Sequence, residues 1–208
     1  MRVAITGARR GIGRALADAY GARGDQVMAL TRAELDVADQ GSIAAWGAGL
    51  AAPIDLLVCN AGILEDRGEA LADGYPADMW ARGFAVNVTG VFLTVQAALP
   101  MLRAAGAGKV AIISSQMGSS TRAKGNTMIY RVTKAAALNL GMNLAEALRP
   151  EGIAVGIYHP GWVRTDMGGG EADISVEASR DGLMARFEAL GIGNTGCFET
   201  WDGRAHPI

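Results

Sequence analysis

The sequence predicts an α/β fold: one domain, residues 1–208, in which a doubly wound parallel sheet lies between two layers of helices. Short apolar runs of strand length alternate with longer segments of helical periodicity along most of the chain. A glycine-rich turn joins the first apolar run directly to the first helical segment. The 29 glycines are spread through the sequence, as expected for many tight turns between strands and helices. Together these features predict three layers.

The composition indicates a large buried core, since 50% of the residues are hydrophobic and only 19% are charged. The net charge of −2 gives no reason to expect nucleic acid or an acidic membrane as a partner. Two cysteines are too few for a disulfide framework, so a reducing cytoplasm is the expected location. The sequence shows no targeting segment and no run that approaches the roughly 18 apolar residues of a membrane span. No metal site is predicted.

The first turn has the pattern of a dinucleotide-phosphate site. The strand Arg2–Thr6 leads into Thr6–Gly13, and a helix is predicted over Arg14–Arg23. In this context the glycines permit a tight turn, a close approach of the backbone to a pyrophosphate and close packing of the helix. The start of the helix then offers free N–H groups to the phosphates, although an ordinary βα loop is the alternative. The candidate cofactor-binding residues here are Gly7, Arg9, Arg10, Gly11, Ile12 and Gly13.

Arg32 follows the second predicted strand, Gln26–Thr31, at the position that contacts the cofactor's ribose. An acidic residue there suits the 2′-hydroxyl of NAD, whereas an arginine suits the 2′-phosphate of NADP. Arg9 and Arg10 would complete a positive pocket, although all three side chains are also compatible with solvated surface arginines. We therefore expect NADP(H) as the preferred cofactor and NAD(H) as the alternative.

A third strand is predicted only in vestigial form, at Leu35–Val37. A usual βαβ repeat takes about 30 residues, and only a few residues separate this segment from the strand that ends at Thr31. The next helix is predicted immediately afterwards, over Asp39–Leu50, with Asp39 as its start signal. The adenine side of the cofactor site should therefore be open.

Small residues follow the next buried strand, Ile54–Val58, in the sequence Cys59-Asn60-Ala61-Gly62. Such residues let the backbone pass close to a ribose. Cys59 is interpreted as a packed residue at the strand end rather than as a nucleophile, because no histidine is near it in sequence. Residues 63–76 are predicted to form a loop.

The long helix predicted over Asp78–Arg103 is interrupted by Asn87-Val-Thr-Gly90. Asparagine and glycine cost stability inside a helix, so they indicate either a bend that directs Asn87 inward or mere tolerance of these residues.

Ser115 follows the buried strand Lys109–Ser114, at the sheet edge where ligands bind in open parallel sheets. It is a candidate donor to a substrate oxygen, and the alternative is a serine that caps the next turn. Tyr130 and Lys134 lie four residues apart on a predicted helix that runs to about Arg149, so they share one face. A cation beside a phenol lowers the phenol's pKa, which would suit Tyr130 for proton exchange near neutral pH.

The last strands and helices are predicted at Ile153–Tyr158, Ser175–Leu190 and Gly196–Glu199. His159 directly precedes a proline and is interpreted as a packing residue. The segment Met167–Gly170 is glycine-rich and could act as a lid. Adaptable, mostly apolar side chains are the expected substrate walls, which favours a nonpolar carbonyl compound; they are Gln116, Met117, Met128, Trp162, Met167 and Met184.

Taken together, these segments resemble the short-chain dehydrogenase/reductase family, with its Rossmann fold, along nearly the whole chain. The motif residues that carry the resemblance are Thr6, Gly7, Gly11 and Gly13 of the cofactor turn, Asn60-Ala61-Gly62, Asn87, Ser115, the Tyr130 and Lys134 pair, and Pro160-Gly161 with Val163 and Thr165. Within the family, the run His159–Met167 and the tail Gly196-x-Phe-x-x-x-Asp-Gly203 resemble the C-factor and carbonyl-reductase-like branch. The shortened region before Asp39 departs from the family pattern. Asp36-Val37 still fits the family's adenine contact, but the departure weakens the assignment of Arg32.

The resemblance implies hydride transfer between NADP(H) and a small carbonyl or alcohol substrate. Tyr130 is then the general acid or base, Lys134 lowers its pKa and holds the nicotinamide ribose, Ser115 orients the substrate oxygen, and Asn87 holds a water. Val163 and Thr165 would contact the nicotinamide end. Family members are commonly homodimers or homotetramers, and some are monomers. One rival hypothesis is a sugar-nucleotide reductase or epimerase of the extended branch, but the short chain argues against the additional substrate-binding region that such a protein needs. The other is a dinucleotide-binding sensor or signalling protein without robust turnover, against which the intact set of Asn, Ser, Tyr and Lys argues.

Overall fold

Six parallel strands form one sheet in the computed structural model, which describes residues 1–208. The strand order is β2-β1-β3-β4-β5-β6, and every neighbouring pair is parallel. The strands are β1 (Arg2–Thr6), β2 (Gln26–Leu30), β3 (Leu56–Cys59), β4 (Lys109–Ile113), β5 (Ala154–His159) and β6 (Phe198–Thr200). From β1 the chain adds β2 on one side and then β3 to β6 on the other, so the sheet is doubly wound as predicted.

Six α-helices cover the two faces of the sheet. They are α1 (Gly11–Ala22), α2 (Gln40–Ala48), α3 (Ala77–Phe84), α4 (Gly90–Ala104), α5 (Met128–Leu148) and α6 (Val176–Ala189). Buried side chains of α2, α4 and α5 pack on one face of the sheet, and those of α1 and α6 pack on the other. The prediction of three layers is therefore confirmed.

Alternate residues of the central strands enter the two cores, as the period of two in a strand requires. In β1, Ala4 belongs to the core under α2, α4 and α5, whereas Val3 and Ile5 belong to the core under α1 and α6. In β3, Leu57 faces the first core and Val58 the second. A strand buried on both faces reads as a continuous apolar run, which explains why these strands were recognisable in the sequence.

The predicted third strand is wrong: Leu35–Val37 pairs with no strand, and β2 is an edge of the sheet. The residues after β2 turn tightly, because the backbone N–H of Thr31 donates to the carboxylate of Glu34 (2.9 Å). Leu35 leaves this turn with its side chain in the core (3% exposed). Too few residues lie between Leu35 and α2 to form a strand. Asp39 caps α2 by accepting a hydrogen bond from the N–H of Gly41 (2.9 Å).

The interruption predicted in the long helix is a π-helical turn, Ala85–Thr89, which joins α3 to α4 without a break. Single π turns are common at functional positions because they redirect one side chain inward. Asn87 is 1% exposed and points into the protein, as the bend hypothesis expected. Glycine is required at position 90 because a Cβ on Gly90 would lie 2.3 Å from the carbonyl oxygen of Val37.

The helical run Ala77–Ala104 also corrects one expectation from composition. It is long and apolar enough to cross a membrane by length and hydropathy, with a mean hydropathy of 1.5 over its best window. However, 44% of that window is buried within the protein, and Val91, Val95 and Leu102 are part of the core. The run is a buried core helix, and length and hydropathy alone do not distinguish such a helix from a membrane span.

Candidate active site

The carboxyl ends of β1, β3, β4 and β5 bring the predicted site segments to one edge of the sheet. The glycine turn follows β1, Asn60–Gly62 follows β3, Ser115 follows β4, and Pro160 follows β5. Because the strands are parallel, their carboxyl ends face the same crevice, and ligands of open α/β sheets bind there. The start of α5, which carries Tyr130, packs beside the segment that follows β4.

The glycine turn has the tight backbone and the close helix packing that its spacing predicted. Gly7 has φ +68°, in the left-handed region that glycine enters without strain. A Cβ on Gly13 would lie 2.4 Å from the Asn60 side-chain nitrogen, so only glycine fits between α1 and the segment after β3. Arg10, at the start of α1, makes no side-chain cap, and the first N–H groups of the helix are open to a ligand.

The segment after β3 braces this turn. The Thr6 hydroxyl accepts hydrogen bonds from the backbone N–H groups of Asn60 and Ala61 (both 3.0 Å). The Asn60 side-chain amide donates to the carbonyl oxygens of Thr6 (2.9 Å) and Gly7 (3.3 Å). In this structure Asn60 therefore fixes the shape of the glycine turn. The backbone of Ala61 also packs closely against the turn, since a Cβ on Gly7 would lie 2.9 Å from the Ala61 Cα.

Asn87 and Lys134 meet beside Gly62. A Cβ on Gly62 would lie 3.3 Å from both the Asn87 Oδ1 and the Lys134 Nζ. Asn87 accepts from the N–H of Ile63 (2.9 Å) and donates to the Ile63 carbonyl oxygen and to the Thr133 hydroxyl (both 3.0 Å). Lys134 donates to the Ile113 carbonyl oxygen at the end of β4 (2.9 Å). Three segments far apart in sequence thus converge on the lysine.

Tyr130 lies one helical turn before Lys134, with the Lys134 Nζ 5.6 Å from the centre of its ring. Burial raises the pKa of Tyr130 to about 12, and the Ser115 hydroxyl acts in the opposite direction. Burial also lowers the pKa of Lys134 to about 8. The pKa of Tyr130 is therefore raised rather than lowered as predicted, because the loss of hydration of the phenolate is the largest effect on it.

Ser115 is buried (6% exposed), and its oxygen accepts from the N–H of Met117 (3.1 Å). The capping alternative is thus realised. A hydroxyl still has one donor left while its oxygen accepts, and Ser115 also interacts with the Tyr130 phenol. The capping role is observed, and donation to a substrate oxygen stays a prediction.

The segment after β5 reaches across to the glycine turn. A Cβ on Gly11 would lie 3.3 Å from the Thr165 Cγ2, and Arg10 forms an exposed ion pair with Asp166 (2.7 Å). Val163 is buried (4% exposed). The predicted lid, Met167–Gly170, is held here by hydrogen bonds, including one from the Gly168 N–H to the Thr165 hydroxyl (3.0 Å).

The arginines predicted to read the ribose are at the surface. Arg32 is 78% exposed and lies 3.7 Å from Asp36, the residue predicted to contact adenine. Arg9 is exposed as well. Val37 lies against α4, where it packs near Gly90. Arg32 is thus paired with Asp36 at the surface, and its exposed side chain can still reorient because exposed ion pairs are weak.

Three further expectations have clear outcomes. Cys59 is buried, and burial raises the pKa of its thiol to about 12, which agrees with a packed and unreactive residue. His159 is also buried (7% exposed), as a packing residue should be. Met184 packs with the core under α1 and α6, so its prediction as a substrate wall is wrong.

One residue of the site was missed in the sequence. Asp66 lies in the loop after β3, yet it is 1% exposed and bonds to the start of α5. Its only signal was an acidic residue in a loop, which is ordinary for a surface turn.

Comparison with known proteins agrees with this geometry. Residues 33–173 match the sequence profile described as short chain dehydrogenase. C-signal of Myxococcus xanthus is 38% identical over 157 residues, covering 74% of this chain and 93% of that protein. The 2-(R)-hydroxypropyl-CoM dehydrogenase of Xanthobacter autotrophicus is 33% identical over 221 residues, covering 92% of this chain and 86% of that enzyme.

A solved structure extends the agreement to the whole chain. The NADPH-bound carbonyl reductase from chicken fatty liver superposes with a TM-score of 0.89 at 26% identity, covering 100% of this chain and 98% of that one. The fold, the order of the motifs and the match over more than half of the chain lead to one conclusion. The protein belongs to the short-chain dehydrogenase/reductase family of oxidoreductases.

Proposed function

We propose that the protein transfers hydride between NADP(H) and the carbonyl or alcohol group of a small apolar substrate. One observation carries the proposal: Tyr130 and Lys134 lie one helical turn apart at the sheet edge that also holds the glycine turn. A protein that only binds a dinucleotide needs the turn but not a buried phenol and amine beside it.

The residues at this edge fit a dinucleotide. The open N–H groups at the start of α1 suit a pyrophosphate, and the turn can pack closely against the segment after β3 only because Gly7 and Gly13 have no side chain. When bound, the nicotinamide ring supplies or accepts the hydride. The residues that we assign to the cofactor are those named in the sequence analysis: Gly7, Arg9, Arg10, Gly11, Ile12, Gly13, Arg32, Asp36, Val37, Asn60, Ala61, Gly62, Tyr130, Lys134, Pro160, Gly161, Val163 and Thr165.

The protein's own residues would handle the proton and the oxygen. Tyr130 donates its phenolic proton to the oxygen of a carbonyl substrate, or accepts one from an alcohol. Ser115 donates a hydrogen bond to the same oxygen and stabilises developing charge. Lys134 stabilises the phenolate form and holds the nicotinamide ribose. Asn87 would hold a water that links Lys134 to solvent, and its bonds to the segment after β3 fix its side chain beside the lysine.

The exposed side chains around the crevice favour a nonpolar substrate. Trp162 is 45% exposed and Met167 is 40% exposed, both in the segment after β5, so their apolar surface is accessible to a ligand. The test is a panel of small ketones and aldehydes assayed by loss of NADPH fluorescence. Oxidation of NADPH with apolar carbonyl compounds is the expected result.

The rival from another class is a dinucleotide-binding sensor or signalling protein, and the name of the 38% identical C-signal is the observation that favours it. Binding of NADPH without oxidation across the whole panel would support that rival. We place the reductase first because a sensor has no use for the buried Tyr130 and Lys134 pair.

Cofactor preference can be tested by thermal unfolding. We expect NADPH to raise the Tm more than NADH at equal concentration, because the nucleotide with the lower Kd stabilises the folded protein more. A ligand at 100 times its Kd stabilises the folded state by about 2.7 kcal/mol. Arg32→Gln should reduce the effect of NADPH and leave that of NADH unchanged. The matched control is Arg149→Gln, an exposed arginine at the far end of α5. Equal shifts by both nucleotides in the unaltered protein would contradict the preference for NADP(H).

A further inference from the structure

The start of α5 is capped from another part of the chain. Thr127, at the cap position, has a left-handed backbone (φ 46°, ψ 51°) and makes no side-chain cap. Asp66, in the loop after β3, instead accepts hydrogen bonds from the N–H groups of Ile129 (2.7 Å) and Tyr130 (3.3 Å). Because a capping residue satisfies N–H groups that otherwise lack a partner, Asp66 fixes the first turn of the helix that carries Tyr130.

The second carboxylate oxygen of Asp66 has no partner. Asp66 is only 1% exposed, and its Oδ1 atom is buried without a hydrogen-bond partner. Asp66 lines a small pocket together with Asn87 and Tyr130, two residues of the candidate active site. Leaving a buried charged group partly unsatisfied is costly, so this arrangement calls for a reason other than helix capping.

Few charged or titratable groups surround the Tyr130 phenol. Glu65 lines the same pocket, and it pairs with Arg82 of α3 (3.0 Å). Lys134 lies near the Tyr130 ring, one turn further along α5, and Ser115 lies near the phenol at the end of β4. Among the causes that shift the pKa of Tyr130, burial is the largest and raises it, Ser115 lowers it, and the charge of Asp66 raises it. Asp66 is thus a carboxylate of this pocket whose charge raises the pKa of the phenol.

We propose that Asp66 is a positioning residue for Tyr130, one that fixes the phenol by capping its helix and holds it in the protonated form by its negative charge. The inference rests on the proposed role of Tyr130. A phenol kept protonated is ready to donate to a carbonyl oxygen, whereas oxidation of an alcohol needs the phenolate. The negative charge of Asp66 therefore opposes formation of the phenolate, the form that oxidation of an alcohol needs.

The charge is tested with Asp66→Asn, which keeps an oxygen for the two N–H groups and removes the negative charge. The readout is NMR of tyrosine labelled at the ring ζ carbon, with the Tyr130 signal assigned by its loss in Tyr130→Phe. We expect Tyr130 to ionise at a lower pH in Asp66→Asn than in the unaltered protein, because the charge that raises the pKa of the phenol is removed. Glu65→Gln, a neutralised carboxylate of the same pocket, should follow the unaltered protein. An Asp66→Asn spectrum identical to that of the unaltered protein at every pH overturns the proposal.

The capping part is tested separately by hydrogen exchange of the Ile129 and Tyr130 amides. Exchange should stay slow in Asp66→Asn and become faster in Asp66→Ala, which removes both the charge and the acceptor. Equal exchange in both variants would show that Asp66 does not hold the helix start. Neither readout needs turnover, so a failure here is distinguishable from a failure of the proposed reductase activity.

Discussion

Replacing Tyr130 with phenylalanine should lower kcat by about 10²–10⁴-fold, the usual contribution of a general acid or base. The ring is almost fully buried, and phenylalanine differs only by the hydroxyl. Packing around α5 is therefore retained. What is lost is the proton donor beside Ser115, without which a carbonyl oxygen would have to take its proton from water.

The measurement is turnover of the best carbonyl compound of the panel, with NADPH affinity determined in parallel by fluorescence. Affinity should change little, because the glycine turn and the segment after β3 are untouched. Tyr75→Phe is the matched control, since it removes a hydroxyl from the loop after β3 and should leave kcat unchanged. Retained turnover in Tyr130→Phe would refute the role assigned to this residue.

The elements that could be predicted from sequence are those whose signal is local. Buried parallel strands are continuous apolar runs, and the glycine turn has a fixed spacing because phosphate, turn and helix packing each demand one small residue. The inward direction of Asn87 was one of two open alternatives. It needed the structure, since the π turn is stabilised by bonds to Ile63, which is 24 residues away in the chain.

The errors and omissions come from interactions that a sequence pattern does not contain. Leu35–Val37 has the composition of a strand, yet it turns to enter the core instead of pairing. The pKa of Tyr130 depends on how much water its neighbours exclude, a property of the whole packing rather than of a spacing of four residues. Asp66 caps a helix that begins 62 residues later, so no capping pattern near Met128 could reveal it.

Replacing Lys134 with methionine should abolish activity and yet stabilise the protein in the absence of nucleotide. Burial lowers the pKa of Lys134 to about 8, below its ordinary value of 10.5, so the folded state holds a charge that prefers water. At about 1.4 kcal/mol per pKa unit, the cost is on the order of 3 kcal/mol at neutral pH. The substitution also leaves the Ile113 carbonyl oxygen without its donor, which costs about 1–3 kcal/mol. A net gain of about 1 kcal/mol is expected, which corresponds to a rise in Tm of about 2–4 °C at this size.

The pH dependence of the stability difference between the unaltered protein and Lys134→Met tests whether the buried charge is its cause. Below pH 8 both folded and unfolded protein carry the Lys134 proton, and the full cost is present. Between pH 8 and 10.5 the unfolded state binds more protons than the folded one, so the free energy of unfolding rises with pH relative to that of Lys134→Met. Denaturant unfolding at several pH values measures this difference, and Lys124→Met, at an exposed lysine, should show neither the gain nor the slope. A less stable Lys134→Met at neutral pH would mean that the buried ammonium is satisfied by its surroundings. The expected gain would instead mean that the fold retains a destabilising charge where a cofactor and a phenol can use it.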